Sequence, residues 1–394
     1  TSIMFLKKSV FRLSGILIIF LLSLNLNAQM SQEGMPPSFT AGLSDDNVEN
    51  ISFPAPGNEV ISRADIHDGD GIGPYRIGKL IDANININTA GTWTDIPGLG
   101  RIWRLCLESD NAKALSLYYD NFFLPEGSEL YIYNESKNHL IGAFTELNNT
   151  DNGLFATEII QGDKLTLEYF EPEGLTSLPE INISHIAYIF RGVNFSYLVD
   201  ETDGGSAWCM INVNCQEGDN WQVEKKGVVR QYMILPGGWV GWCTGSLINN
   251  TSWDLTPYVL TAQHCNEDCT PSNLNQWIFY FKYEASNCSG TSGPTNYTML
   301  GCSLKAEGDR YTGSDFSLLE LNGTPSQNLE PYWNGWNRTN TPSTSGVSIH
   351  HPLGDIKKIS TYNTQLGHSQ WNNNGVLSHW RATWAATYNG TSIV

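Results

Sequence analysis

The sequence predicts an all-β protein built as two successive units. Three observations carry that expectation. Gly (37 residues), Asn, Ser and Thr abound while Lys and Ala are sparse, a profile of short strands and many turns. Apolar and polar residues alternate in short runs across the first half. Seven of the eight cysteines follow residue 208, so the second half is stapled and the first is not. With 40% hydrophobic and only 16% charged residues in 394, the chain has material for two ordinary cores.

The first element is an export signal. Lys7, Lys8 and Arg12 precede an apolar run from Leu13 to Leu26, and Ala28 offers a small residue for cleavage. Residues 4–28 therefore read as a signal peptide, too short in its apolar part for a membrane span, and the remainder is expected to be secreted, with no later span. Residues 30–75, rich in Pro and Gly, read as an extended, loosely ordered lead-in. Then come Ile85-Asn86-Ile87-Asn88, Arg101-Ile102-Trp103-Arg104-Leu105, Ala114-Leu115-Ser116-Leu117-Tyr118-Tyr119, Glu129-Leu130-Tyr131-Ile132-Tyr133 and Lys164-Leu165-Thr166-Leu167-Glu168-Tyr169. Period-two runs at this spacing predict an antiparallel sandwich over 30–200. A polar stretch, Asp200-Glu201-Thr202-Asp203-Gly204-Gly205-Ser206, forms a seam of the kind proteases cut, and a second domain is expected over 206–394.

The net charge of -18 excludes a nucleic-acid partner, because polyanion binding requires basic surface that releases counterions. Export makes the cysteines disulfide formers rather than zinc ligands. His350-His351 suggest no metal site, since neighbours on a strand point to opposite faces. The Asn-x-Ser/Thr triplets are no more than an Asn- and Thr-rich chain produces. No cofactor is expected.

Chemistry concentrates in two segments. Gly241-Trp242-Cys243-Thr244-Gly245-Ser246-Leu247 precedes Tyr258-Val259-Leu260-Thr261-Ala262-Gln263-His264-Cys265. A Cys243 to Cys265 bridge would pin these two strands and hold His264 at a fixed strand end, as a general base requires. A histidine in that role needs a carboxylate on its far nitrogen to set the tautomer and stabilise the imidazolium. Ser314-Asp315-Phe316-Ser317-Leu318-Leu319-Glu320-Leu321 supplies one, 51 residues after His264. That order and distance match a His–Asp–Ser triad, in which His and Asp lie roughly 45 residues apart and the serine comes last.

Over roughly residues 206 to 394 these motifs resemble trypsin-like serine peptidases, and most closely the bacterial lysyl endopeptidase family. Cys209-x5-Cys215 with Glu217-Gly218-Asp219 resembles that family's mature N-terminal region, and Ile349-His350-His351-Pro352-x4-Lys357-Lys358-Ile359-Ser360 its later signature. Trp103-Arg104-Leu105 and Ile141-Gly142-Ala143-Phe144 are similar to its propeptide. The resemblance implies a propeptide β-sandwich followed by a chymotrypsin-like double β-barrel, cut short in the second barrel, acting on protein or peptide substrates as a monomer. It implies the bridges Cys243–Cys265 and Cys215–Cys288, and places Trp371 where the family has an aromatic residue shaping the primary pocket. Cys269 and Cys302 have no counterpart, and their nearness in order to the His loop leads us to expect a bond between them.

A Gly-x-Ser-Gly turn carrying a nucleophile is not found in the 394 residues; Gly245-Ser246 precedes the histidine and Ser345-Gly346 lacks the leading glycine. By resemblance, Trp384-Ala385-Ala386-Thr387 leads into that turn, so the serine is expected just beyond Val394 and the fragment as given should be inactive. No Lys lies between Lys164 and Lys225, so self-processing after Lys cannot occur at the seam. Three functions stay in view: a secreted endopeptidase, an inactive peptidase-like binding protein, and an adhesin led by the sandwich.

Overall fold

The computed structural model describes residues 30–69, 73–191, 206, 210–371, 375–385, 387–388 and 391–392. The leader, most of the seam, and Cys209 lie outside the described residues.

The first half is a sandwich of two sheets. Its principal strands are β1 (Tyr75–Asn86), β2 (Gly100–Glu108), β3 (Ala114–Phe123), β4 (Glu129–Asn134), β5 (Lys164–Pro172) and β6 (Glu180–Ile189). β5 pairs antiparallel with both β2 and β4 in one sheet, and β6 pairs antiparallel with β1 and β3 in the other. Leu105, Leu107, Leu115, Leu117, Leu165 and Leu167 are fully buried within the core they share.

The alternation in sequence does not become alternation in exposure here. β2 is buried on both faces through its centre, because the lead-in covers the outer face. The segment is ordered by specific contacts. Ser38, in the short helix Pro37–Ala41, donates its backbone N–H (2.8 Å) and its hydroxyl to Glu168, and Tyr133 donates its hydroxyl to the same carboxylate at 3.0 Å. Arg104 is likewise buried and paired with Asp45 at 2.8 Å. Polar residues that read as a solvent face are therefore covered and paired, as buried charges must be. A loosely ordered lead-in is corrected to a packed cover.

The second half contains β7 (Val228–Leu235), β8 (Trp239–Ile248), β9 (Tyr258–Thr261), β10 (Ile278–Tyr280), β11 (Thr298–Leu300), β12 (Cys302–Gly308) and β13 (Phe316–Leu321). Antiparallel pairing runs β11-β10-β7-β8-β9-β13-β12, a nearly closed barrel. Period two survives here: along β13, Ser317, Leu319 and Leu321 point inward and are buried. The fold is all-β and chymotrypsin-like. A hairpin of β14 (Gly346–His350) and β15 (Lys358–Tyr362) belongs to a separate sheet with the short strand Ile211–Asn212.

The halves are not separate in structure. β1 adds to the edge of β8, with Val240 opposite Gly78 and Trp242 opposite Tyr75, so one sheet runs through both. No helix among the described residues is long and apolar enough to cross a membrane.

Candidate active site

The register of two strands assembles the site. β9 and β13 pair with Thr261 opposite Ser317, and continuing that register two residues past the end of β9 brings position 263 opposite 315. Gln263 indeed donates its backbone N–H to the Asp315 carbonyl at 3.2 Å. The chain then turns into the short helix Gln263–Asn266, which carries His264. Thr261, just before the turn, is buried, and its hydroxyl shares its one proton between Gln231 Oε1 (3.0 Å) and the Thr244 carbonyl (2.9 Å), tying the strand end to β7 and β8.

The Cys243–Cys265 bridge closes on the same turn, with a sequence separation of 22. A loop of that size corresponds to about 3 kcal/mol of lost unfolded-state freedom. Cys215 and Cys288 form the second bridge, joining the start of the second half to the loop after β10.

Asp315 holds His264 at two points. Its Oδ1 accepts the His264 backbone N–H at 2.9 Å and its Oδ2 meets His264 Nδ1 at 2.7 Å. Asp315 adopts a left-handed backbone conformation (φ 50°), which an aspartate tolerates better than most residues and which turns the carboxylate toward the histidine. The carboxylate side chain is 10% exposed and the imidazole 26%. Burial alone would raise the Asp315 pKa. The hydrogen bonds from His264, and the charges of His264 and His379, outweigh it and hold the carboxyl below its ordinary value. An ionised Asp315 only accepts, so Nδ1 carries the proton and Nε2 keeps its lone pair. That arrangement can take a proton from a hydroxyl and return it.

Trp371 is 37% exposed and its ring lies 5.9 Å from that of His379. His379 opens the short strand His379–Arg381, packs against Trp371, and was not singled out in the sequence. A single histidine without a motif gives no signal until folding places it there. Cys243, Cys265 and His264 bring their potential metal-binding atoms within 4.8 Å of one another, but both sulfurs are spent in the bridge. His351 is buried, with Nδ1 2.9 Å from the Asp355 carbonyl, a structural role.

The expected Cys269–Cys302 bridge is not formed; both are free thiols. They lie close enough for the charge of one to affect the other, yet each points at its own carbonyl, Cys269 at Ile234 (3.8 Å) and Cys302 at Leu274 (3.6 Å). Burial pushes the Cys269 thiol up to about 12, and Cys302 upward as well. Iodoacetamide at pH 8 is therefore expected to leave both unmodified in the native protein, where thiolate is scarce. Both should be alkylated in denaturant without reductant. Protection in denaturant that only a reductant removes would establish a bridge instead, with peptide mass mapping as the readout.

Residues 203–392 match the family described as "Lysyl endopeptidase, C-terminal domain". That second half of the chain is lysyl endopeptidase-like. It is 26% identical over 314 residues to the lysyl endopeptidase of Pseudomonas aeruginosa, an alignment covering 74% of this chain and 64% of the relative. An alignment of that length reaches well before residue 203, so the likeness to this lysyl endopeptidase includes part of the sandwich. The alignment spans 64% of the relative's length, less than two thirds of it.

Proposed function

We propose that this protein is a secreted serine endopeptidase made as a precursor. In this reading residues 4–28 are the signal peptide, 30–200 the propeptide and 206–394 the peptidase domain, with protein or peptide substrates and a monomeric enzyme. The observation that carries it is the His264–Asp315 pair, with Nδ1 2.7 Å from the carboxylate and Nε2 left as the base. The nucleophile is the serine expected beyond residue 394.

The mechanism is acyl transfer. His264 Nε2 takes the serine hydroxyl proton as the oxygen attacks the peptide carbonyl, then gives it to the leaving amine. Water repeats the sequence on the acyl-enzyme, with His264 again as base. Asp315 keeps Nδ1 protonated throughout and stabilises the imidazolium. Cleavage after Lys is the specificity that the relative's name suggests, and Trp371 would shape the pocket for it.

The test uses the gene product extended through the downstream sequence. It is expected to be labelled by a serine-directed phosphonate and to cleave a peptide library, with mass spectrometry reporting the residue before each cut. A stop codon directly after residue 394, or failure of labelling by the folded extended protein, would sink the proposal. Cleavage after residues other than Lys would correct the specificity alone.

A further inference from the structure

The contact between the halves is built like a partner interface. β1 pairs with the edge of β8 at four positions, and Gly78 is one of them, where a Cβ would fall 2.6 Å from the Tyr188 carbonyl oxygen and 2.8 Å from Val240 Cγ2. Lys79 donates its ammonium to the Gly237 carbonyl and lies over the Trp239 ring, 4.7 Å from its centroid. Deeper in, buried polar groups find partners across the boundary. Gln276 Nε2 donates to the carbonyls of Tyr119 and Phe155, each at 2.9 Å. The hydroxyls of Ser116 and Tyr232 meet at 2.7 Å. Thr298 donates its hydroxyl to Glu158 Oε1 at 2.5 Å. Separating the halves would expose apolar core common to both and remove these partners, which makes spontaneous parting unfavourable.

Glu158 is the one carboxylate in this set. It is 1% exposed, and its Oε2 meets no hydrogen-bond partner among the described residues. Tyr280 on β10 lies close enough for the Glu158 charge to raise its pKa, and Arg230 on β7 stands 4.4 Å from the Tyr280 centroid. Thr298 on β11 contributes a neutral hydroxyl. Among the described residues Glu158 Oε2 has no partner, which leaves an ionised Glu158 uncompensated there.

We propose that residues 30–191 are a strand-adding partner of the second half that stays docked after the chain between them is cut, and that Glu158 makes this docking tighter in acid than in alkali. The biological timing rests on the propeptide reading above; the docking itself does not. Burial raises the Glu158 pKa to about 7, against the opposing hydrogen bonds from Thr298 and its own backbone, from an ordinary 4.5. The docked state thus holds more protons than the parted state between those values. Affinity is full below the lower one, falls across the window, and is constant above the upper one.

The experiment makes the cut itself: a recognition site for a sequence-specific protease is inserted between residues 203 and 204 of the full-length protein. After cutting, the two pieces are expected to co-elute in gel filtration at pH 5. Their dissociation constant, read by sedimentation, should rise roughly fifty- to hundredfold between pH 5 and pH 8. Glu158→Gln should flatten that dependence, and Thr298→Val, which removes an opposing hydrogen bond, should move its midpoint upward. Separation of the folded pieces at pH 5 overturns the docking. Equal affinity at both pH values, or an unaltered slope in Glu158→Gln, overturns the role of Glu158. A secreted protein that runs as one uncut chain from residue 30 onward in denaturing electrophoresis would refute the propeptide reading and leave the docking standing.

Discussion

His264→Ala is expected to lower kcat for peptide cleavage by about 10⁵- to 10⁶-fold in the protein extended through its serine, the scale at which loss of the general base disables the nucleophile. The magnitude follows from the chemistry. Without Nε2 a serine hydroxyl must shed its proton to water, and the leaving amine departs unprotonated. Donors that stabilise the oxyanion remain, so a residual rate above the uncatalysed one should persist. The substitution should leave the fold intact, because the imidazole is a quarter exposed and the Cys243–Cys265 bridge still pins the turn. Steady-state kinetics with circular dichroism of the same sample checks both halves of the expectation. A loss below tenfold would remove His264 from the mechanism.

The second large effect is expected from Asp315→Asn, about 10⁴-fold in kcat with KM nearly unchanged. An asparagine oxygen can still accept the His264 backbone N–H, which turns its amide toward Nδ1. That nitrogen must then accept, the ring proton moves to Nε2, and the base is lost. Asp315 acts through His264, so the split between kcat and KM distinguishes positioning from substrate binding. A stability signature accompanies it. The Asp315 carboxyl titrates below its ordinary 3.8, so its stabilising contribution is present above that value and is lost as pH falls through the folded-state pKa. The difference in melting temperature between wild type and Asp315→Asn should therefore be largest near neutrality and vanish in strong acid. A gap that persists there would place the effect in packing rather than in charge.

Legibility in the sequence followed the range of the interaction. His264 and Asp315 stood out because each sits at the end of an apolar strand run beside a motif, Thr261-Ala262-Gln263-His264-Cys265 and Ser314-Asp315-Phe316, whose local chemistry needs that residue. The principal strands of the first half, and those at Cys243, His264 and Asp315, were legible for the same reason: period two and turn residues are properties of neighbours in the chain. Cys269 and Cys302 show the limit. Nearness in order suggested a bridge, yet the direction of each sulfur is set by β7 and by the turn after Thr270, and neither direction is written in spacing. The lead-in was misread because its composition is that of a loop, while its order comes from Glu168 and Arg104, more than fifty residues away.

What the sequence determined by itself is the all-β class, the strand runs of the first half, and the two residues that carry the proposed chemistry, since periodicity and motif are local. Tertiary structure alone decided that Gln263 lies opposite Asp315, that His379 lies against Trp371, and that β1 completes the edge of β8. Those depend on strand register and on burial across a boundary between distant segments. Both are settled by which apolar faces and unpaired backbone groups meet when the chain closes, a choice no single segment encodes.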